Sequence, residues 1–574
     1  MQDLDLLLIN RSNYPAQPIF PYAFVQVSAL ARRRALTVER FECFGRTEAD
    51  AEMAVGRIIA DRRPRLIGIT LRQADSQLLG DYWTPFADVD RAKRGYFPLE
   101  DTLDLVRFLR SVTDAKIILG GFGFSVHGDR LMHVLQPDFG IVGEPDGMFE
   151  AYEDLLAERR LEQIPNLLYW EGSQVKRGPH RLFDSPRDTE YTEEIVAELK
   201  AFYGRGIPQE TVAVELARGC PYRCFFCAEP IVKGRSVRHR PLDVVVEELE
   251  FLLAHGLTSF WLVCSELNVG NADKAMEVAE ALTRLRERHP TTPLTWRAYH
   301  LPKWLSEEHL RVLARSGFEG GWNDFPSLDD ANLRACRVPY RAAHAVRALT
   351  AGVESADQQG APVRGSMFFG NAHMDPAGIA TTLRAFHDAD LCNRYDSFYA
   401  VTSTRLFEVP AMADFRTEEA VTFMRDGRSP TTDLAHPTYY WPEKLVTQLG
   451  SVLEVEEFFV WMVRAFLLKD PARHFPVPPE LAAKSPGAEV DRAAVWDAIG
   501  APHRDGELEG SPYELECLLL SRFASWDDLD GRLAACFGDR AAPHSAVWSY
   551  CRGRLFEKGV RLRPAYVKMI VPER

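Results

Sequence analysis

The chain has 574 residues, 46% of them hydrophobic, and a formal net charge of −14. That length has room for three or four domains with sizeable cores, and the acidic balance excludes a broad grip on nucleic acid, which needs concentrated lysine and arginine. The acidic-flanked start MQDLDLLLIN does not read as a secretory signal, no apolar run reaches the roughly 18 residues of a membrane helix, and ten cysteines without such a signal imply a reducing, cytoplasmic setting.

In chain order, Leu4–Asn10 (LDLLLIN), Leu66–Leu71 (LIGITL), Lys116–Gly121 (KIILGG) and Phe139–Gly143 (FGIVG) are apolar runs that end in glycine or polar residues, with helical stretches between them. Strands apolar on both faces belong to a parallel sheet covered on both sides. Residues 1–160 are therefore expected to form a doubly wound, Rossmann-like α/β domain whose ligand sits at the carboxyl ends of the strands. Gly120, Gly121 and Gly123 follow one of these strands, a position where glycine often only makes a turn. Residues 161–205 read as a linker, with a small hairpin suggested by IPNLLYWEGSQVKRG.

Thr211–Leu216 (TVAVEL) is a short apolar strand that feeds the run RGCPYRCFFCAEP. Its Cys220, Cys224 and Cys227 follow a C-x3-C-x2-C spacing. Three thiolates from one loop suit three corners of a 4Fe-4S cube and leave the fourth iron open to another ligand. The competing reading is a zinc knuckle, but structural zinc wants four ligands in two separated pairs and no second pair follows at that distance. Cys264, Cys336 and Cys392 are isolated in the sequence, where free cysteine is usually a small buried hydrophobe.

Leu242–Ala254 then reads as an amphipathic helix, which completes a first strand–loop–helix unit. Strand-like runs continue at Ser259–Cys264, Leu294–Tyr299, Phe318–Trp322, Val363–Phe369 and Ser397–Val401, mostly separated by helical stretches such as Asp273–Arg288 and Ser306–Ser316. Residues 206–405 are thus expected to form a partial (β/α)6 barrel. Beyond it, DGRSPTTDLAHPTYYWPEK marks an irregular crossing into a mostly helical region, 406–574, that contains Leu445–Leu468 and Pro512–Phe523. Tyr439, Tyr440 and Trp441 offer either a cover for the barrel mouth or an ordinary aromatic core.

The cysteine segment resembles the radical SAM superfamily, whose signature is C-x3-C-x-aromatic-C, with Phe226 in the aromatic slot. The resemblance implies that Cys220, Cys224 and Cys227 hold the cluster, that the unligated iron binds S-adenosylmethionine, and that Phe226 lies near adenine. The layout PIFPYAFVQVSALARRR, RPRLIGITLR, IILGGFGFSV and FGIVGEPDGMFEAYEDLLAE resembles the cobalamin-binding domain that precedes the barrel in one large class of that superfamily. By that resemblance Leu71, Arg72 and Gln73 lie under the corrin, and Gly120, Gly121, Phe122 and Ser125 near the nucleotide tail. The D-x-H-x2-G motif that offers a lower histidine ligand is absent from the chain, so cobalamin would lack that histidine.

ITLRQAD and GGFGFS are also similar to the thiostrepton-type tryptophan methylase branch, which carries an arginine where Arg72 stands. A guanidinium has no lone pair for a metal. It would keep the lower face of cobalt empty, unless Arg72 is an ordinary salt-bridged surface residue. Glu266, in VCSELNVGN, is placed by the resemblance either at the SAM amino group or on the fourth iron, while the bland reading is a solvated acid at a strand end. The two functional placements imply radical and polar chemistry respectively. Arg297 and Asn323, at the third and fourth strand ends, are expected to contact SAM carboxylate and ribose or to stabilise the rim.

The resemblance implies a cobalamin-dependent radical SAM C-methyltransferase of secondary metabolism, such as antibiotic biosynthesis. It would carry a methyl group from SAM through methylcobalamin to a carbon of an aromatic amino acid, peptide or natural-product intermediate, supported by an electron donor such as flavodoxin or ferredoxin. No nucleic acid or membrane partner is expected. A cobalamin-dependent rearrangement or cyclisation without net methylation, and an iron–sulphur redox or sensor protein, remain as alternatives.

Overall fold

The structure, a computed structural model, describes residues 4–12, 19–44, 46–72, 98–186, 190–204, 211–224, 226–320, 323–359, 364–368, 397–401, 421–423 and 440–442, with single positions between 373 and 389. Its first unit is a sheet of β1 (Leu6–Asn10), β2 (Val38–Glu42), β3 (Leu66–Thr70), β4 (Lys116–Gly120), β5 (Phe139–Ile141), β6 (Leu167–Glu171) and β7 (Gln174–Arg177), in the order β2-β1-β3-β4-β5-β6-β7. The strands from β1 to β5 pair in parallel, and β6 and β7 add an antiparallel hairpin.

Every residue of β1 and β3 is buried, as expected of strands with helices on both faces. Leu7, Ile9, Ile67 and Ile69 join one core with Val55, Leu105 and Leu109, whereas Leu6, Leu66 and Ile118 join another with Phe149 and Leu155. Each fully buried aliphatic side chain of this kind contributes about 1.5–3 kcal/mol relative to exposure. β2 was not among the expected strands, because its VERFE sequence is half charged and suits a sheet edge. The hairpin expected within 161–205 is present and pairs onto β5, so it extends this sheet.

The second unit begins with β8 (Val212–Glu215), followed by the short ribbon of β9 (Ala217–Arg218) and β10 (Arg238–His239). β8 pairs in parallel with β11 (Ser259–Val263), and β11 with β12 (Thr295–Arg297). β13 (Asn323–Phe325), β14 (Arg364–Phe368) and β15 (Ser397–Val401) form a second parallel trio. Helices Leu242–Ala254, Asp273–Arg288, Glu307–Arg315 and Ala342–Gln359 alternate with these strands.

Burial alternates along β11. Phe260 and Leu262 are fully buried against helix residues such as Leu249, Leu252 and Val278, while Ser259, Trp261 and Val263 on the opposite face are only half-buried. Of the expected strand Phe318–Trp322, residues 321 and 322 lie outside the described residues. Phe318 makes one isolated bridge to Trp296, and the paired strand starts at Asn323. Gly320 has a φ of +96°, outside the extended region, and interrupts the run.

In the region 406–574, expected to be mostly helical, only residues 421–423 and 440–442 are described. Here β16 (Val421–Phe423) and β17 (Tyr440–Pro442) form an antiparallel ribbon, with Trp441 opposite Thr422. Tyr439, Leu445–Leu468 and Pro512–Phe523 lie outside the described residues. Among the described residues no helix is long and apolar enough to cross a membrane.

Candidate active site

The cysteine loop leaves β9 through Gly219, whose φ is +87°. A Cβ there would lie 2.3 Å from the Ser236 carbonyl oxygen and 3.0 Å from that of Gly234, so only glycine fits. The Cys220 amide donates to Gly234 O at 3.0 Å, and the Cys227 amide to Cys224 O at 3.1 Å. Tyr222 in the same loop accepts a hydrogen bond on its hydroxyl from the Gly270 amide at 3.1 Å. These bonds bring three thiols, separated by the loop, into one region.

Burial pushes the Cys220 thiol up to about 11 and the Cys224 thiol to about 12, and raises Cys227 well above the ordinary range. Negative charge on Cys220 raises Cys224, and charge on both raises Cys227. Such thiols stay protonated until a metal drives the proton off. Among the described residues no three histidine, cysteine or acidic side chains converge as ligands of one ion.

Glu266 is brought to the same place, since its charge raises the Cys220, Cys224 and Cys264 thiols. Phe226 is half-buried in the turn between Cys224 and the helix Glu229–Val232. Buried Cys336, isolated in the sequence, also returns to this region, where its thiol is raised first by burial and then by Cys224. Asn268, fully buried, was not singled out by sequence although it shares the VCSELNVGN stretch with Glu266. Its Nδ2 donates to Leu301 O at 3.0 Å and Lys303 O at 2.8 Å, and its Oδ1 accepts from the Leu301 amide at 2.8 Å. This saturated amide ties the loop after β11 to the loop after β12.

Arg297 does not stand free at the barrel rim. Its Nε and Nη2 donate to Glu319 Oε2 at 3.2 and 3.0 Å. Any other carboxylate must compete with Glu319, a partner that nothing local in the sequence indicates. Trp261 and Tyr299 meet edge to face with ring centroids 5.1 Å apart. Asn323 opens β13, and its side chain lies outside the described residues.

At the carboxyl edge of the first sheet, the Leu71 amide donates to Gly120 O at 2.8 Å and Leu71 O accepts from the Gly123 amide at 3.0 Å. Gly121 has φ of +96°. Ser125 Oγ donates to Gly121 O at 2.8 Å and accepts from the Gly143 amide at 2.9 Å. Phe122, half-buried, begins the helix Phe122–Leu135. The Leu71 side chain is 1% exposed and packed in the core, which leaves its backbone at the strand end. Arg72 Nη2 donates to Ser12 Oγ, which joins the ends of β3 and β1. Gln73 lies outside the described residues. Glycine at 121 lets the loop after β4 pack directly on the Leu71 carbonyl, and the glycine loop so formed lies at the carboxyl edge of the sheet, where a doubly wound fold opens its ligand cleft.

No family model matches the chain. Tryptophan 2-C-methyltransferase from Streptomyces laurentii is 26% identical over 309 residues, 45% of this chain and 49% of that protein. The chain thus spans about half the length of that curated relative. Among solved structures, the radical S-adenosylmethionine methyltransferase TsrM from Kitasatospora setae, with cobalamin and a [4Fe-4S] cluster bound, superposes with a TM-score of 0.63 at 21% identity over 79% of this chain and 90% of that one. The cobalamin-dependent radical enzyme OxsB, with aqua-cobalamin and SAM bound, gives 0.60 at 13% identity over 98% and 82%. The chain has the fold of TsrM and OxsB. Within that fold the cysteine loop lies beyond β8 of the second unit, and the glycine cleft lies at the carboxyl edge of the first.

Proposed function

We propose that the chain is a cobalamin-dependent radical SAM C-methyltransferase. The observation that carries this reading is the pairing, in one fold, of a glycine loop at the strand ends of a doubly wound sheet with a three-thiol loop that has Glu266 beside it. Cys220, Cys224 and Cys227 would hold the [4Fe-4S] cluster, and the cleft formed by the backbone of Leu71, Gly120, Gly121 and Gly123 would hold cobalamin. When bound, SAM supplies the methyl group and cobalamin carries it.

Glu266, close enough to perturb two of the cysteine thiols, is suited to cap the unique iron. That role favours polar transfer over formation of a 5′-deoxyadenosyl radical. Arg72, held through Ser12, is suited to keep the lower face of cobalt free of a ligand, because a guanidinium cannot coordinate. The pair of half-buried Trp261 and exposed Tyr299, beside the Arg297–Glu319 ion pair, offers an apolar wall next to paired charges. That arrangement suits an aromatic amino acid, free or within a peptide or natural-product intermediate. A reductant such as flavodoxin or ferredoxin, and a reducing cytoplasmic setting, belong to the same reading.

Anaerobic reconstitution with iron, sulphide and cobalamin, followed by mass spectrometry of SAM products with tryptophan present, tests the proposal. S-adenosylhomocysteine alone, with a substrate gain of one methylene mass, supports polar methyl transfer, whereas added 5′-deoxyadenosine supports a radical step. Product of unchanged mass supports a rearrangement, and absence of substrate-dependent SAM consumption supports a redox or sensor protein.

A further inference from the structure

Glu144 belongs to the first unit, just beyond β5, and is 1% exposed. Its carboxylate receives Arg238 as a fork, with Nη1 donating to Oε2 at 2.9 Å and Nη2 to Oε1 at 2.7 Å. Arg218 Nη1 approaches Oε1 at 3.7 Å, and the Phe183 amide donates to Oε2 at 2.6 Å. Arg218 and Arg238 are direct partners across the β9–β10 ribbon. Gly219 and Cys220 leave that ribbon at once, so the first unit holds both strands from which the cysteine loop springs.

The grip continues on the other side of the same segment. Arg218 Nε donates to Glu215 Oε1 at 2.7 Å, and Gln26 Nε2 donates to that oxygen at 3.1 Å. The Glu215 amide donates to the Tyr22 hydroxyl at 3.0 Å, and that hydroxyl donates to Glu190 Oε2 at 2.7 Å. Tyr22 and Gln26 lie on the first unit's helix Tyr22–Arg33. Glu144 on one side and this helix on the other therefore clamp residues 215–220 against the first unit. Through the Gly143 amide and Ser125 Oγ, the clamp also touches the helix that opens at the glycine cleft.

Both guanidiniums are largely buried, with side chains 6% and 14% exposed. Removing the Glu144 charge leaves the Arg238 guanidinium poorly compensated while Arg218 keeps Glu215, and the ribbon loses the fork that fixes its direction. We propose that Glu144 is a positioning residue that sets the separation of the cysteine loop from the glycine cleft. This rests on reading those two places as the cluster and cobalamin sites. Transfer between two bound groups depends steeply on their alignment, and a misplacement of about 1 Å can cost roughly 100-fold in rate.

The test uses Glu144→Gln and Arg238→Lys in the full chain. Without cofactors, amide hydrogen exchange of peptides covering 216–228 is expected to quicken about tenfold in Glu144→Gln while peptides of β1, β3 and β4 stay unchanged. With both cofactors loaded, cluster content and cobalamin affinity should stay within about twofold, while S-adenosylhomocysteine formation falls roughly 100-fold at unchanged KM for SAM. Pulsed electron paramagnetic resonance should show a broadened spin coupling between reduced cluster and cob(II)alamin. Arg238→Lys, which keeps the charge and loses the fork, should be intermediate, and it decides the matter if Glu144→Gln does not fold. Unchanged exchange, spin coupling and rate, or a lowered Tm with a normal rate, would overturn the proposal. Failure of the wild-type chain to bind either cofactor would refute the functional reading, and the exchange measurement would still decide the clamp.

Discussion

Gly121 and Leu71 approach so closely that a Cβ on the glycine would lie 2.3 Å from the Leu71 carbonyl oxygen. The loop after β4 is therefore bound to the end of β3 through backbone alone. Gly121→Ala must adopt a left-handed conformation and push that carbonyl away, at a cost of about 1–3 kcal/mol. Denaturant titration should show the loss, and cobalamin titration should show weakened binding while the cysteine loop still takes up iron. Wild-type cobalamin affinity in Gly121→Ala would contradict the assignment of this cleft.

The cysteines divide into two groups. Replacing Cys220, Cys224 or Cys227 with alanine should abolish cluster absorbance and S-adenosylhomocysteine formation together. Cys264→Ala and Cys336→Ala should keep the cluster, and each should lose about 1 kcal/mol of stability from lost packing. Cys392, Cys517, Cys536 and Cys551, outside the described residues, should likewise be dispensable for the cluster. A full [4Fe-4S] signal in the triple alanine variant of the loop would refute the ligand set.

Glu266 and Arg72 separate the polar and radical branches. Glu266→Gln should admit SAM to the iron, so abortive 5′-deoxyadenosine rises and the cluster spectrum shifts. Arg72→Lys should retain part of the activity. Arg72→His, which introduces a nitrogen able to coordinate cobalt, should slow methyl capture and add nitrogen splitting to the cob(II)alamin resonance. Unaltered products and spectra in Glu266→Gln would return Glu266 to a solvated acid at a strand end.

Stability should carry an unusual pH dependence from Glu190. Burial, and next the neighbouring Glu215, push its carboxyl up to about 7. A folded pKa raised above the unfolded value contributes stability that is full below the unfolded pKa and is lost as pH rises through about 7. The slope from this group is at most about 1.4 kcal/mol per pH unit. Buried His300 acts with the opposite sign. Its pKa is lowered by burial to about 4, so its contribution is present above the unfolded value and is lost as pH falls toward 4. Denaturation from pH 4 to 8 should therefore show Glu190→Gln removing the loss of stability between the unfolded carboxyl value and about 7. A wild-type decline over that window in the variant would contradict the buried, proton-holding role.

What the sequence made legible was local in origin. The cysteine spacing acts within one loop, and LDLLLIN and LIGITL read as doubly covered strands because burial on both faces leaves no alternation to misread. β2 stayed hidden because a half-charged edge strand resembles a loop. The side-chain direction of Leu71 was equally hidden, since a run apolar throughout does not say which residue turns inward. Arg297–Glu319, Glu144–Arg238 and the approach of Cys336 to Cys224 join residues through the path of the chain, and no periodicity records that path.

The central claim is that one polypeptide holds a [4Fe-4S] cluster on Cys220, Cys224 and Cys227 and a cobalamin without a protein nitrogen ligand on the carboxyl edge of β3 and β4. Electron paramagnetic resonance of the anaerobically reconstituted full chain tests both halves in one sample. The account predicts a reduced-cluster signal together with cob(II)alamin that lacks nitrogen superhyperfine splitting. Nitrogen splitting at cobalt, or a chain that retains the cluster and takes up no cobalamin, would contradict it.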